Sequence, residues 1–245
     1  MVSGLVSRSR FEVRGSTFGF DHTQAQAWLG YTNHRSCSVA ETVPSSDNDG
    51  MSNDTDVYSA RLLNLDTWDD FARLVEANNG VWGGCWCMGF HVEGVRNATS
   101  PDDNQAAKFD HVACGTCHQV LVYAGDECVG WCQYGPPAEL PNIQNSKAYA
   151  QKLERLPDWR IGCIFTGNRH RDHGVARMAV SAALDEIRSA GGGVVEAYPE
   201  QSEGRPPQRG AYFHTGPESL YEQFGFTRTR KIAKWRWVMR LEMLP

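Results

Sequence analysis

The rhythm of apolar and polar positions separates a long polar opening from a regular succession of strand-like and helix-like segments. Residues 1–56 are rich in Ser, Thr, Asn, Asp and Gly and keep neither a helical nor a strand period, which predicts a disordered tail. Met51 opens an alternative start, so this stretch also reads as an upstream start-site extension. From residue 57 the pattern becomes regular. "VYSARLLNL" (57–65) fits a first strand. "DTWDDFARLVEANNG" keeps Trp68, Phe71, Leu74 and Val75 at helical spacing, with Asp66 or Thr67 to cap the start and Gly80 after the end.

Residues 101–110 predict a short helix or a loop, and "HQVLVYAGDECVGWCQYG" alternates around a turn at "AGDE", a hairpin signal. Residues 136–158 read as a polar connection holding one helix. "WRIGCIFT" (159–166) is a buried-strand pattern, followed by a helix over 174–190 that ends in "AGGG". "VVEAYP" (194–199) predicts a second buried strand, residues 200–210 a loop, and "PESLYEQF" (217–224) a short helix between Pro217 and Gly225. One or two strands close the chain. There is no internal repeat. The order predicts a mixed α/β domain over residues 57–245.

Composition narrows the class. With 41% hydrophobic residues the chain is an ordinary globular protein. No apolar run approaches the roughly 18 residues that span a bilayer, and the N-terminus has no apolar core of a secretory signal, which predicts no membrane partner and a cytoplasmic address. A formal charge of −5 argues against nucleic acid as a main partner. The Lys- and Arg-dense stretch 227–240 alternates, as a strand with a solvated basic face does. Eight cysteines in a reducing compartment are expected as thiols.

The candidate chemistry sits in "RHRDHGVA", residues 169–176, between the strand at 159–166 and the helix at 174–190. A strand feeding a helix leaves the first helical N–H groups unpaired, with the positive end of the helix dipole behind them, so an anion is the natural occupant. Arg171, His173 and Arg169 add charge-assisted donors, and the small Gly174 and Ala176 let a diphosphate approach the backbone. The plain alternative is a solvated turn. Neither a P-loop nor a dinucleotide-binding glycine motif is present.

"CIFTGNRHRDHGVARMAV" resembles the acetyl-CoA signature of the GNAT superfamily of N-acetyltransferases. That family's pyrophosphate loop has Gln or Arg, two free positions, Gly, one free position, then Gly or Ala. Here these are Arg171, Asp172, His173, Gly174, Val175 and Ala176. "SLYEQFGF" (219–226) is similar to the family's second motif. The resemblance is specific over 160–226 and implies a mostly antiparallel central sheet flanked by helices. It implies acetyl transfer from acetyl-CoA to a primary amine, by direct attack on the thioester and with no metal. Under the resemblance the main chain at Ile164, Phe165 and Thr166 holds the acetyl and pantetheine end, and Arg171 to Arg177 hold the diphosphate. Tyr221 is the general acid and Glu196 the first choice of base, with His214, His91 and Glu200 as competitors. His214 stands where many members carry an Asn before that tyrosine and is counted with the cofactor-binding residues, and Pro217 replaces an expected Ala. The family leaves the acceptor open, with the acidic balance pointing to a cationic amine, and is compatible with a homodimer.

"GGCWCMGFH" (83–91) falls where acceptor-binding segments are expected and offers two glycines and two aromatics as a pocket wall. Two rivals stand beside the enzyme. One is a non-catalytic acyl-CoA-binding module. The other is a zinc-stabilised binding protein that draws ligands from Cys85, Cys87, Cys114, Cys117, His91, His111 and His118. "CGTCH" matches a haem-attachment pattern, but attachment occurs outside the cytoplasm.

Overall fold

The computed structural model describes residues 58–94, 100–151, 153–204 and 213–244. The expected tail and the alternative start at Met51 lie outside them. In chain order the elements are β1 (Ser59–Leu62), α1 (Trp68–Ala77), α2 (Pro101–Ala113), β2 (Gln119–Ala124) and β3 (Glu127–Gly135). Then come α3 (Ser146–Gln151), β4 (Trp159–Thr166), α4 (Val175–Ser189), β5 (Gly193–Ala197), α5 (Glu218–Glu222), β6 (Thr227–Ala233) and β7 (Arg236–Met243). The strands form one sheet in the order β1-β2-β3-β4-β5-β7-β6. Among the described strands only β4 and β5 pair in parallel.

Alternation along β2 assigns the two faces. Val120 and Val122 join the core under α4, with Ala179, Val180, Ala183 and Ile187. Leu121 and Tyr123 face the opposite layer, with Phe71 and Val75 of α1 and the buried Trp131.

Helix α2 is longer than the expected stretch. Ser100 accepts from the Asp103 N–H while Asp103 accepts from the Ser100 N–H, and Pro101 opens the helix. Its buried residues are Asn104, Lys108 and Val112, so the face that packs is largely polar. The basic C-terminal stretch is engaged internally. Arg228 pairs with Glu218 at 2.5 Å, Arg240 with Glu196 at 2.7 Å, and Arg236 with Glu200.

His91, a competitor for the catalytic base, is fully buried, and its Nε2 accepts from Gln133 Nε2 at 2.8 Å. Burial first, then the nearby Lys108 charge, pushes its pKa down to about 2. The folded state therefore keeps His91 neutral while the unfolded chain protonates it below its ordinary value. Its stabilisation is complete above about pH 6.5 and falls by about 1.4 kcal/mol per pH unit as pH drops further towards the folded-state pKa. Urea midpoints taken at pH 7 and pH 5 are expected to differ less for His91→Gln than for the native chain; equal slopes would remove this account.

Candidate functional site

The site begins where the sheet opens. Trp159, Arg160 and Ile161 pair with Val195, Glu196 and Ala197, and there the parallel pairing stops. Strand β4 continues beside β3, with Ile164 opposite Cys132 and Thr166 opposite Gly130. The chain after β5 departs, and Glu200 bridges to Pro217 and Arg236. One edge of the second half of β4 therefore faces a gap. The Gly167 N–H goes to Val129 on the β3 side, so by strand alternation the N–H groups of Ile164 and Thr166 point into this gap. The Ile164 N–H already donates to the His214 carbonyl at 2.6 Å.

Beyond β4 the chain makes a tight turn, passes Asp172 at φ 63° and Gly174 at φ 89°, and enters α4. A left-handed residue at the helix start suits glycine. No side chain caps this end, and no acidic residue occupies the first turn. The first N–H groups of α4 are thus left for an external acceptor, with the helix dipole behind them. The helix is seated by Gly130, where a Cβ would come within 2.6 Å of both the Phe165 carbonyl and Val175 Cγ1.

A cavity of about 730 Å³ lies against this end of the helix. Ile164, Phe165, Thr166, Arg171, Asp172, Gly174, Val175, Ala176 and Arg177 line it. Gly216, Pro217, Ser219, Leu220 and Gln223 form the opposite wall. Four N–H groups at a helix start and two guanidinium groups make it a fit for a diphosphate. His173 does not line it; the ring is exposed and its Nδ1 lies 2.5 Å from the Arg171 carbonyl oxygen.

A second cavity of about 330 Å³ adjoins the first at Trp82, which lines both. Its walls include Cys85, Cys87, Gly89 and Phe90 of the expected segment, together with Asn142, Gln144, Cys163 and His214. Trp86, the other aromatic of that segment, is instead buried and stacked on Trp68 at 6.0 Å. Neighbouring residues of β4 thus serve different cavities, Cys163 the smaller and Ile164 the larger.

His214 is held from several sides. Its ring meets Trp82 edge-to-face at 5.1 Å. Gln144 Oε1 accepts from Arg236, a donor-only group, so the amide NH₂ of Gln144 is turned to His214 Nε2, 3.2 Å away. Nε2 therefore accepts from that amide. Arg236 is fixed in turn by Glu200, the Tyr198 carbonyl at 2.6 Å and Thr215 Oγ1 at 3.1 Å.

The two residues expected to carry catalysis lie elsewhere. Glu196 is fully buried in the closed part of the sheet and accepts from Arg240 at 2.7 Å, Tyr149 at 2.7 Å and Tyr198 at 3.1 Å. It lines neither cavity. A carboxylate with these partners has no face left for a substrate. Tyr221 is also fully buried and outside both linings, and its hydroxyl donates to the Thr215 carbonyl at 2.8 Å. Burial holds this phenol well above the usual range. Glu200 is spent on Arg236.

Sequence reasoning missed Trp82, Asn142, Gln144 and Arg236. Gln144 and Arg236 meet across 92 residues, for which a linear pattern gives no signal. Trp82 had one, since it lies in "GVWGG", where Val81 and Trp82 sit at φ 51° and 50°. Left-handed conformation in a β-branched and a bulky residue is strain that tertiary structure must hold in place. Among the described residues no three His, Cys, Asp or Glu side chains converge as metal ligands, and no helix is long and apolar enough to cross a membrane.

The sequence profile of the acetyltransferase (GNAT) family matches residues 87–226. No curated protein matches the chain. Similar solved structures include yncA of Salmonella typhimurium, solved with its cofactor acetyl-CoA, at 16% identity and TM-score 0.44, covering 76% of this chain and 94% of that one. An N-acetyltransferase from Staphylococcus aureus is 14% identical, with TM-score 0.43 and coverage of 76% and 98%. An acetyltransferase of the GNAT family from Streptococcus pneumoniae is 11% identical, with TM-score 0.43 and coverage of 76% and 99%.

Proposed function

The chain belongs to the acetyltransferase (GNAT) family, and from that premise we propose that it moves an acetyl group from acetyl-CoA to the primary amine of a small molecule, with His214 as the base. The observation that carries the reading is the pair of joined cavities. The larger fits a diphosphate at the uncapped start of α4, and the smaller, which shares Trp82 with it, is lined by the His214 imidazole.

Bound acetyl-CoA supplies an acetyl thioester. Arg171, Arg177 and the first N–H groups of α4 hold its diphosphate, and the exposed edge of β4 aligns the acyl end. The Thr166 N–H points along that edge, and the Ile164 N–H joins it when it exchanges the His214 carbonyl for an acyl oxygen. His214 Nε2 gives up the Gln144 N–H and takes one proton from the arriving ammonium, leaving a neutral amine to attack the carbonyl carbon. On collapse the C–S bond breaks, and the second proton shed by nitrogen goes to the departing sulfur, so one proton is released per turnover. Tyr221 acts here as a positioning residue, since its hydroxyl anchors the 214–216 segment through Thr215.

Two measurements test the reading. Calorimetric titration of the full chain with acetyl-CoA should saturate, and thiol release should then require an added amine. A non-catalytic module would bind without releasing thiol. His214→Gln is expected to lower kcat by about 100-fold, with acetyl-CoA affinity nearly unchanged and the acidic limb of the pH profile displaced. An unaltered kcat and pH profile would remove the base assignment.

A further inference from the structure

Cys85, Cys87 and Cys163 all line the smaller cavity, and all three are free thiols. Cys85 belongs to its own turn, where its sulfur accepts from the Gly89, Met88 and Cys87 N–H groups. Cys87 is placed differently. Its thiol donates to Gln133 Oε1 at 3.4 Å, and Gln133 Nε2 donates to the Cys87 carbonyl at 3.0 Å. The same Oε1 would lie 3.2 Å from a Cβ on Gly162, so this one amide seats Cys87 against β4 at the residue before Cys163. There the Cys87 and Cys163 sulfurs adjoin each other, and the Trp131 indole brings a donor-only N–H to both.

We propose that Cys87 and Cys163 are an oxidative modification site: a peroxide that enters the smaller cavity converts them to a disulfide, and that bond shuts the cavity to the acceptor. Only the second half rests on the acetyltransferase reading above. The chemistry runs in two stages. The Cys87 sulfur attacks one peroxide oxygen, the O–O bond breaks, and the other oxygen leaves as water with the thiol proton, so that Cys87 carries a sulfenic acid. The Cys163 sulfur then displaces that hydroxyl, again as water, and the S–S bond forms. Two electrons pass from the sulfurs to the peroxide, and two molecules of a small thiol return them. The surroundings set the order. Burial raises the Cys87 pKa, but the Cys163 thiol, the Lys108 charge and the Trp131 indole outweigh it and bring it below the ordinary value. Cys163 faces that sulfur from a buried position and is held well above. Cys87 therefore reacts first. Once it is oxidised, the negative charge that held up Cys163 is gone, which frees the second proton for the leaving hydroxyl.

The bond acts on one cavity. Drawing Cys87 onto β4 shrinks a space of about 330 Å³, already at the lower end of the range for ligand sites. Neither cysteine lines the larger cavity, where the coenzyme diphosphate is placed. Oxidation is therefore expected to remove amine turnover while acetyl-CoA still binds.

The experiment treats the full chain, reduced and then freed of reductant, with hydrogen peroxide, and alkylates it under denaturing conditions for intact mass and peptide mapping. Of the eight cysteines, two are expected to escape alkylation, with a loss of about 2 Da and a cross-linked peptide pair that joins Cys87 to Cys163 and is dissolved by dithiothreitol. Eight alkylated thiols, a different pair such as Cys114 with Cys117, or sulfinic acid in place of the cross-link overturns the proposal. Cys163→Ser should lose the cross-link and yield a dimedone adduct on Cys87 instead; a mass loss of about 2 Da that persists in this variant overturns it as well. Amine turnover of the oxidised native chain, read as acetylated product, is expected to fall by about 10-fold or more, with acetyl-CoA affinity within about 3-fold, and to recover with dithiothreitol. A mapped Cys87–Cys163 bond with native turnover overturns the closure. An untreated chain that acetylates none of a panel of primary amines, 2-phenylethylamine, spermidine and lysine among them, overturns instead the acetyltransfer reading, and the peptide map still decides the bond.

Discussion

Replacing Arg171 by Ala together with Gly174 by Glu is expected to weaken coenzyme A binding by about 1,000-fold or more while leaving the domain folded. Arg171 lines the cavity in front of α4, and its removal deletes a charge-assisted donor worth about 1.5–3 kcal/mol when it meets a phosphate. The second substitution places a carboxylate where an anion is to be bound. It also occupies the positive end of the uncapped helix, where it competes with the phosphate groups. A Cβ at Gly174 meets nothing within 4 Å, so the cost to folding is the left-handed backbone alone, about 1–2 kcal/mol. Gly174→Ala is the control, because it carries the same strain without the charge and should change affinity little. Calorimetric titration with acetyl-CoA, coenzyme A and adenosine 3′,5′-bisphosphate checks the result, with a melting curve of each unliganded variant beside it. Unchanged affinity in the double variant would mean that the loop is a solvated turn.

The strand, turn and helix around Gly174 were legible in the sequence because they are local. Strand, turn, glycine and helix follow one another within 31 residues, and the expected strand over 159–166 and helix over 174–190 differ from β4 and α4 by at most one residue at an end. Helix α2 was only half legible for an opposite reason. Its buried positions are Asn104, Lys108 and Val112, so hydrophobic periodicity is weak where the helix packs, although the Ser100 and Asp103 cap is plain once sought. The acceptor side was least legible. His214, Gln144 and Arg236 are brought together by contacts across 70 and 92 residues, and only the closed sheet makes one hydrogen-bonded line of them. The family resemblance pointed to Glu196 by its strand. It carried no information on Tyr149 and Arg240, which occupy that carboxylate.

Glu196 therefore separates a catalytic from a structural carboxylate in a single pair of variants. In register, Glu196 lies between Arg160 of β4 and Arg240 of β7, at the last stretch where β4 and β5 still pair. Glu196→Ala leaves Arg240 without its carboxylate and the Tyr149 and Tyr198 hydroxyls without an acceptor, next to the buried Arg160. Breaking one side of such a buried pair costs about 3–5 kcal/mol, a large share of the stability of an ordinary domain. Glu196→Gln behaves differently. Its amide oxygen can face Arg240 while its NH₂ faces the two hydroxyls, which rotate to accept, so the cost is expected to be about 1–2 kcal/mol. Turnover follows the same division. A lost general base would reduce kcat by about 10²–10⁴-fold in the Gln variant. A clamp that only closes the sheet would leave kcat within about 3-fold of the native value, while Glu196→Ala loses activity in step with its folded fraction. Urea unfolding of both variants, with kcat measured on the Gln variant below its transition, decides between these. A 100-fold fall in the folded Glu196→Gln protein would return the carboxylate to the reaction, whereas native-like turnover leaves the base on the acceptor side, at His214.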